Sequence, residues 1–352
     1  MQNVNFLMSA QCSSSRKRHD MKKLAFENFL TPLQDAILRT LLYYDIFGYP
    51  LTADEIHLFL GAKITDRSSI NSSLLVLKES GSIFQFGNLF SVNSDHALIE
   101  RRKKGNNMAK KFLNIARKKA ALISKFPFVR GVMASGSLSK GYMDETSDID
   151  FFIVTVPNRL WIARTLLVLY KRLFLMNSHK YFCVNYFVDE NHLGIEEKNL
   201  FTATELATVL PLYGLQQYVN LHEANRWLKN FFPNFKLRPI SEVPTTSTSW
   251  FKRAMESTFN LLGESFERFC HKITLARWKR HYGNSYSKED FDIAFKSRSY
   301  ASKNHPSNFQ RVIMERYEEK LKAFGLSEYT ADENSRHLIR IGNFHKQSAS
   351  GV

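Results

Sequence analysis

Between residues 127 and 154 the chain sets a glycine–serine turn and an Asp-x-Asp pair between two apolar runs. Few folds accommodate that combination. Pro127 to Ser135 reads as a strand arriving at a turn, Gly136-Ser137 follow, and Leu138-Ser139-Lys140-Gly141-Tyr142 lead away. Ser147-Asp148-Ile149-Asp150 then opens a second strand through Val154. The period of two along a strand places Asp148 and Asp150 on one face, roughly 6.6 Å apart, with Ile149 pointing into a core.

Two carboxylates on one face repel unless something positive lies between them. Hard oxygen ligands suit Mg²⁺ (or Mn²⁺), which keeps waters and shares phosphate oxygens with a substrate. Upstream, Gly136 lets the backbone approach a phosphate closely, and Ser137 offers a hydroxyl and a backbone N–H. A helix starting there aims its N-terminus at the anion. Lys140 lies between turn and carboxylates, placed either to touch a triphosphate or to stand in an exposed loop. Phosphate cradle and metal carboxylates together describe transfer of a phosphorus group.

The Gly136-Ser137 turn, the ten residues 138–147 and Asp148-Ile149-Asp150, preceded by Ser147, resemble the signature of the polymerase-β-type nucleotidyltransferase superfamily. More widely, the run from Tyr44-Asp45-Ile46-Phe47-Gly48-Tyr49-Pro50-Leu51-Thr52 to Trp227 and Pro233-Asn234, about 190 of the 352 residues, resembles a bacterial branch of it. In that branch a winged helix precedes the transferase core. The resemblance implies that Gly136 and Ser137 hold a nucleoside triphosphate and that Asp148 and Asp150 bind the divalent metal. It implies transfer of a nucleoside monophosphate to an acceptor, with release of pyrophosphate. It also implies a third carboxylate on a later strand. The next strand candidate, Tyr181 to Val188, carries Asn185 at its centre, and an amide can ligate a metal but cannot act as a base. Asp189 shares Asn185's face about 13 Å further on, and Glu190 is near. Asp189 or Glu190 completes the site, or activity is reduced, or the site only binds nucleotide.

The expected fold is α+β, with a mixed-sheet nucleotidyltransferase core at 127–198. Ahead of it, residues 23–98 read as three helices and a hairpin resembling a winged helix: Thr31-Pro32 starts the first and Thr52-Ala53-Asp54-Glu55 the second. The third runs from about Asp66 to Gly81, and Gly87-Asn88 turns the hairpin. The third helix offers only Arg67, Asn71, Ser72 and Lys78 to DNA, a thin footprint, so packing on another domain is the favoured role.

Residues 99–126 form a connecting helix whose nine Lys and Arg between 101 and 119 face one glutamate, a solvated face or a surface for a phosphate backbone. Arg159 and Arg164 begin the helix after the Asp strand, Arg164 either reaching a carboxylate or phosphate or, the favoured reading, forming a structural ion pair, and His179 and His192 are surface loop residues. The region 199–335 is expected to be helical: 199–232 split by Pro211, a polar linker at 240–249, one helix from Trp250 to Tyr282, a loop at 283–308, and a last helix from Phe309 to Phe324. Arg277-Trp278-Lys279-Arg280-His281-Tyr282 interleaves cations and aromatics as single-strand binders do, or is a basic helix end.

Residues 1–22 read as a basic disordered tail and 336–352 as a flexible one. Cys12, Cys183 and Cys270 lack a C-x-x-C pair, which fits a reducing cytoplasm. Leu160 to Met176, the most apolar stretch, carries Arg164, Lys171 and Arg172 and follows directly on Arg159, so no membrane span is expected. The net charge, 49 − 33 = +16, suits a polyanion. The acceptor is a small molecule, a protein or RNA. The rival reading is a regulator, either a degenerate nucleotide-binding transferase or a winged-helix nucleic-acid-binding protein.

Overall fold

The structure is a computed structural model that describes residues 30–327 except 177, 179, 247 and 305–308. Both expected tails, Cys12 and His179 lie outside the described residues. The chain forms two compact units. One holds the chain up to Ile99, Lys229–Phe235 and the segment from Ile313. The other holds Glu100–Leu228 and Lys236–Val312.

In the first unit, α1 (Pro32–Asp45) starts at a capping box, in which the Gln34 N–H donates to Thr31 Oγ1 at 3.3 Å and the Thr31 N–H to Gln34 Oε1 at 2.9 Å. Strand β1 (Leu51–Thr52) leads into α2 (Ala53–Phe59), capped in the same way by Thr52 and Glu55. Then come α3 (Ser68–Glu79), β2 (Phe84–Phe86) and β3 (Leu89–Ser91). Three helices and a hairpin thus occur in the expected order, and β1 adds a strand, giving an antiparallel sheet β1-β3-β2. Ile37, Leu38, Leu42, Ile56 and Leu74 form the core. Arg67 is paired with Asp54 at 2.6 Å, and Lys78 donates to Gln85 at 3.0 Å, so both cations offered to DNA are engaged within the unit. Distant segments complete it. Asn234 donates to Ala62 O at 2.7 Å, Phe232 packs on Phe59, and Tyr317 meets Tyr43 edge-on.

The basic segment is α4 (Ala97–Ile123), a helix of 27 residues with Ala109, Ala116, Ala120 and Ile123 on its buried stripe. The second unit continues with β4 (Val129–Ser135), a single turn α5 (Gly136–Ser139), β5 (Asp150–Thr155), α6 (Leu160–Phe174), β6 (Cys183–Asp189) and α7 (Leu200–Thr208). After these come β7 (Leu210–Tyr213), α8 (Leu215–Ala224), α9 (Leu228–Phe231), α10 (Trp250–Leu261) and α11 (Gly263–Tyr282). The last elements are α12 (Lys288–Ala294), β8 (Ala301–Lys303) and α13 (Phe309–Ala323); most of α9 and of α13 belongs to the first unit. The sheet order is β7-β4-β5-β6-β8, with β5 and β6 parallel and the other neighbours antiparallel, a mixed sheet. The central strands β4 and β5 are mostly apolar, and Phe151, Ile153, Val129 and Val132 are fully buried.

Three expectations for the carboxy-terminal half are corrected. The helical stretch at 199–232 contains strand β7, where Pro211 is tolerated because the strand lies at the sheet edge and pairs only with β4. The expected loop at 283–308 contains α12 and β8, the opposite edge strand. The single helix from 250 to 282 breaks at Gly263, whose φ of +63° lies in the left-handed region. No described helix is long and apolar enough to cross a membrane.

Candidate active site

Strand β4 delivers Gly136 to the end of the sheet, and β5 begins beside it, Ser135 opposite Asp150. Gly136 has φ +65°, and a Cβ there would lie 2.5 Å from Asp150 Oδ2. Only glycine allows turn and carboxylate this contact. Asp148 precedes the strand rather than lying on it, because pairing begins at Asp150. The intervening loop is folded on itself: Asp144 accepts from the Ser147 and Thr146 hydroxyls, each at 2.7 Å. Burial alone would raise the Asp144 carboxyl, and these bonds hold it below its usual range. Ile149 is fully buried, and its N–H donates to Lys180 O at 2.9 Å. Helix α4 meets the same loop. Asn106 donates to Gly141 O at 2.6 Å, and the Met143 N–H to Gly105 O at 3.1 Å.

Parallel pairing sets Cys183 opposite Asp150, and a register irregularity follows at Asn185. Asn185 Nδ2 donates to Asp150 Oδ1 at 2.8 Å, so the amide meets the carboxylate across the two strands. Burial pushes the Asp150 carboxyl up to about 6. The charges of Glu205 and Asp148 add to it, against hydrogen bonds from Cys183 and Asn185. Burial, then the charge of Asp150, raises the Cys183 thiol. Lys171 of α6 is buried and held below its usual range by that burial, with Cys183 and Asp148 as compensating neighbours.

Glu205 joins the site unannounced by any motif. Its Oε2 accepts the Gly136 N–H at 3.2 Å and its Oε1 accepts Lys140 Nζ at 2.6 Å, while Lys140 also donates to Gly136 O at 3.1 Å. The one sequence signal is a single acid within the apolar helical run from Leu200 to Val209.

Other expected site residues lie elsewhere. Asp189 is not brought to the aspartate pair: it stands opposite Thr155, five residues along β5 from Asp150, roughly 16 Å away. There it is buried and accepts at 2.7 Å from Nδ1 of His192, which stands exposed in a loop as expected. Glu190 accepts from Gln217 Nε2 at 2.8 Å at the same end, where the Glu190 N–H donates to Thr155 O. Arg164 reaches neither the Gly136 turn nor the aspartates. It is buried over the Trp278 ring at 4.6 Å and near Trp161, and burial lowers its guanidinium to about 9. Arg159 donates to Asn260 Oδ1 at 2.8 Å.

The residues present fit a hard divalent cation. Among the described residues no cluster of three or more His, Cys, Asp or Glu forms a ready cage, so protein atoms alone do not enclose an ion. Asn185 Oδ1, however, is buried without a hydrogen-bond partner among the described residues, beside a carboxylate that burial disfavours as an anion. Two carboxylates and an orphaned amide oxygen suit an ion that keeps waters and takes oxygens from a phosphate.

Residues 115–203 match the nucleotidyltransferase domain family. The matched stretch runs from the last turns of α4 into α7 and includes the turn, both aspartates and Asn185. This segment is a nucleotidyltransferase domain of the polymerase-β-type superfamily. Comparison with curated proteins and with solved structures gives no match.

Proposed function

We propose that the protein transfers a nucleoside monophosphate from a nucleoside triphosphate to an acceptor and releases pyrophosphate. The observation that supports this best is the contact of the Gly136 turn with Asp150, which sets a phosphate cradle against a carboxylate that needs a cation. Gly136 and Ser137 offer backbone N–H groups and a hydroxyl to the triphosphate, and Lys140 offers its ammonium. Asp148 and Asp150 would hold Mg²⁺, and Asn185 Oδ1 would be available to it as a further oxygen ligand. When bound, Mg²⁺ neutralises phosphate charge and lowers the barrier to displacement at phosphorus. Asn185 cannot take a proton, so the acceptor hydroxyl loses its proton to another group or to solvent.

The test is incubation with labelled triphosphates, Mg²⁺ and a panel of sugars, proteins and RNA. Pyrophosphate release or labelling that disappears in Asp148→Ala/Asp150→Ala supports transfer. Asn185, an amide against Asp150 rather than a carboxylate, favours a second reading, nucleotide binding without transfer, which predicts saturable binding and no turnover with any acceptor.

A further inference from the structure

Helix α7 is fastened to the phosphate turn at several points. Ser139 Oγ donates to Gly136 O at 2.8 Å and lies 3.3 Å from Thr208 Oγ1. Arg238 bridges both elements, donating to Ser139 O at 2.5 Å and to Thr208 O at 3.0 Å. Thr204 and Thr208 are buried on the same helix. Glu205 therefore enters the site from a fixed position.

Its two oxygens take up two different donors, the Gly136 N–H and the Lys140 ammonium. These are the donors that the nucleotide reading gives to the triphosphate. A carboxylate spanning two donors presents its oxygens much as a phosphoryl group does. The side chains of Lys140 and Glu205 are 17% and 27% exposed, so the pair is neither sealed in the core nor free in solvent. Glu205 also sets a further negative charge toward Asp150, already crowded by Asp148. A glutamine would bond the Gly136 N–H without that repulsion. The charge is thus opposed by Asp150 and held by Lys140, and its two oxygens are matched to the donors of an anion site.

We propose that Glu205 is an internal occupant of the triphosphate turn, holding Lys140 and the Gly136 N–H until a nucleotide's phosphates displace it. The proposal rests on the nucleotide reading above. Nucleotide binding is then an exchange, and measured affinity is reduced by what Glu205 gives up. An anion that makes no more contacts than one carboxylate gains little from the exchange. A triphosphate gains more, so Glu205 favours polyphosphates over single phosphates.

The probe is inorganic tripolyphosphate with Mg²⁺, which needs no knowledge of the base, titrated calorimetrically into the full chain at fixed salt. Glu205→Gln keeps the shape and removes the charge, Glu205→Ala removes both, and Lys140→Ala removes the ammonium. Thermal unfolding of each variant confirms that it is folded. The expected result is about tenfold or greater tightening in both Glu205 variants, as charge-assisted hydrogen bonds to the occupant are no longer broken, and weakening in Lys140→Ala. Unchanged or weaker binding in the Glu205 variants, with the wild type binding, overturns the occupant role and leaves the nucleotide reading standing. Absence of binding by every protein, to tripolyphosphate and to nucleoside triphosphates alike, overturns the nucleotide reading and the occupant role with it.

Discussion

Asp150 carries the sharpest conflict between stability and chemistry in the chain. Its carboxyl is raised from 3.8 to about 6 by burial, and then by Glu205 and Asp148. Between those values the folded state binds more protons than the unfolded chain, so stability falls as pH rises, and the full cost is present above about pH 6. At 1.36 kcal/mol per pH unit the cost is on the order of 3 kcal/mol. Asp150→Asn is therefore expected to be more stable than the wild type in metal-free buffer at pH 7.5, with the gap closing toward pH 4. Urea unfolding across that range measures it, and equal stability at pH 7.5 would contradict the assigned environment. At this scale the site was partly legible. The turn and the aspartates sit within 15 residues of sequence, and Ile149 between the aspartates is buried as its apolar side chain suggests. Glu205 was not legible, because it reaches Gly136 across 69 residues and no spacing rule spans that distance.

Among the elements, those with local signals were readable. Thr31 and Thr52 cap α1 and α2 through capping boxes visible three residues ahead, and Gly81 and Gly87 mark the turns after α3 and β2. Strands β7 and β8 were not readable. They have four and three residues, and their stability comes from pairing with β4 and β6 rather than from their own pattern. The start of α6 shows the same dependence on distant partners. Its first amides carry no local side-chain cap, and buried Glu267 of α11 accepts from the Trp161 N–H at 2.7 Å and the Ile162 N–H at 2.9 Å. Glu267→Ala leaves those two donors unsatisfied in the core and is expected to cost about 2–4 kcal/mol in denaturant unfolding. A loss below about 0.5 kcal/mol would show that the cap is dispensable.

For the molecule as a whole, the division into two units escaped the sequence because it depends on returning segments. Asn234 accepts the Ile64 N–H across 170 residues, and Lys320 binds Asp45 across 275. The net charge of +16 also looks different once placed. Lys104, Lys110, Lys111 and Lys118 stand exposed on α4, while the site gathers Asp148, Asp150 and Glu205. Basic surroundings raise the local concentration of a polyanion, and the acidic centre calls for a cation with it. The central claim is that the Gly136 turn and the aspartate pair form one magnesium–nucleotide site. Equilibrium binding of a non-hydrolysable triphosphate analogue over a Mg²⁺ titration tests it without any acceptor. Saturable binding that requires Mg²⁺ and is lost in both Gly136→Ala and Asp150→Ala is the predicted result. Binding of equal strength without Mg²⁺, or unchanged in both variants, would contradict it.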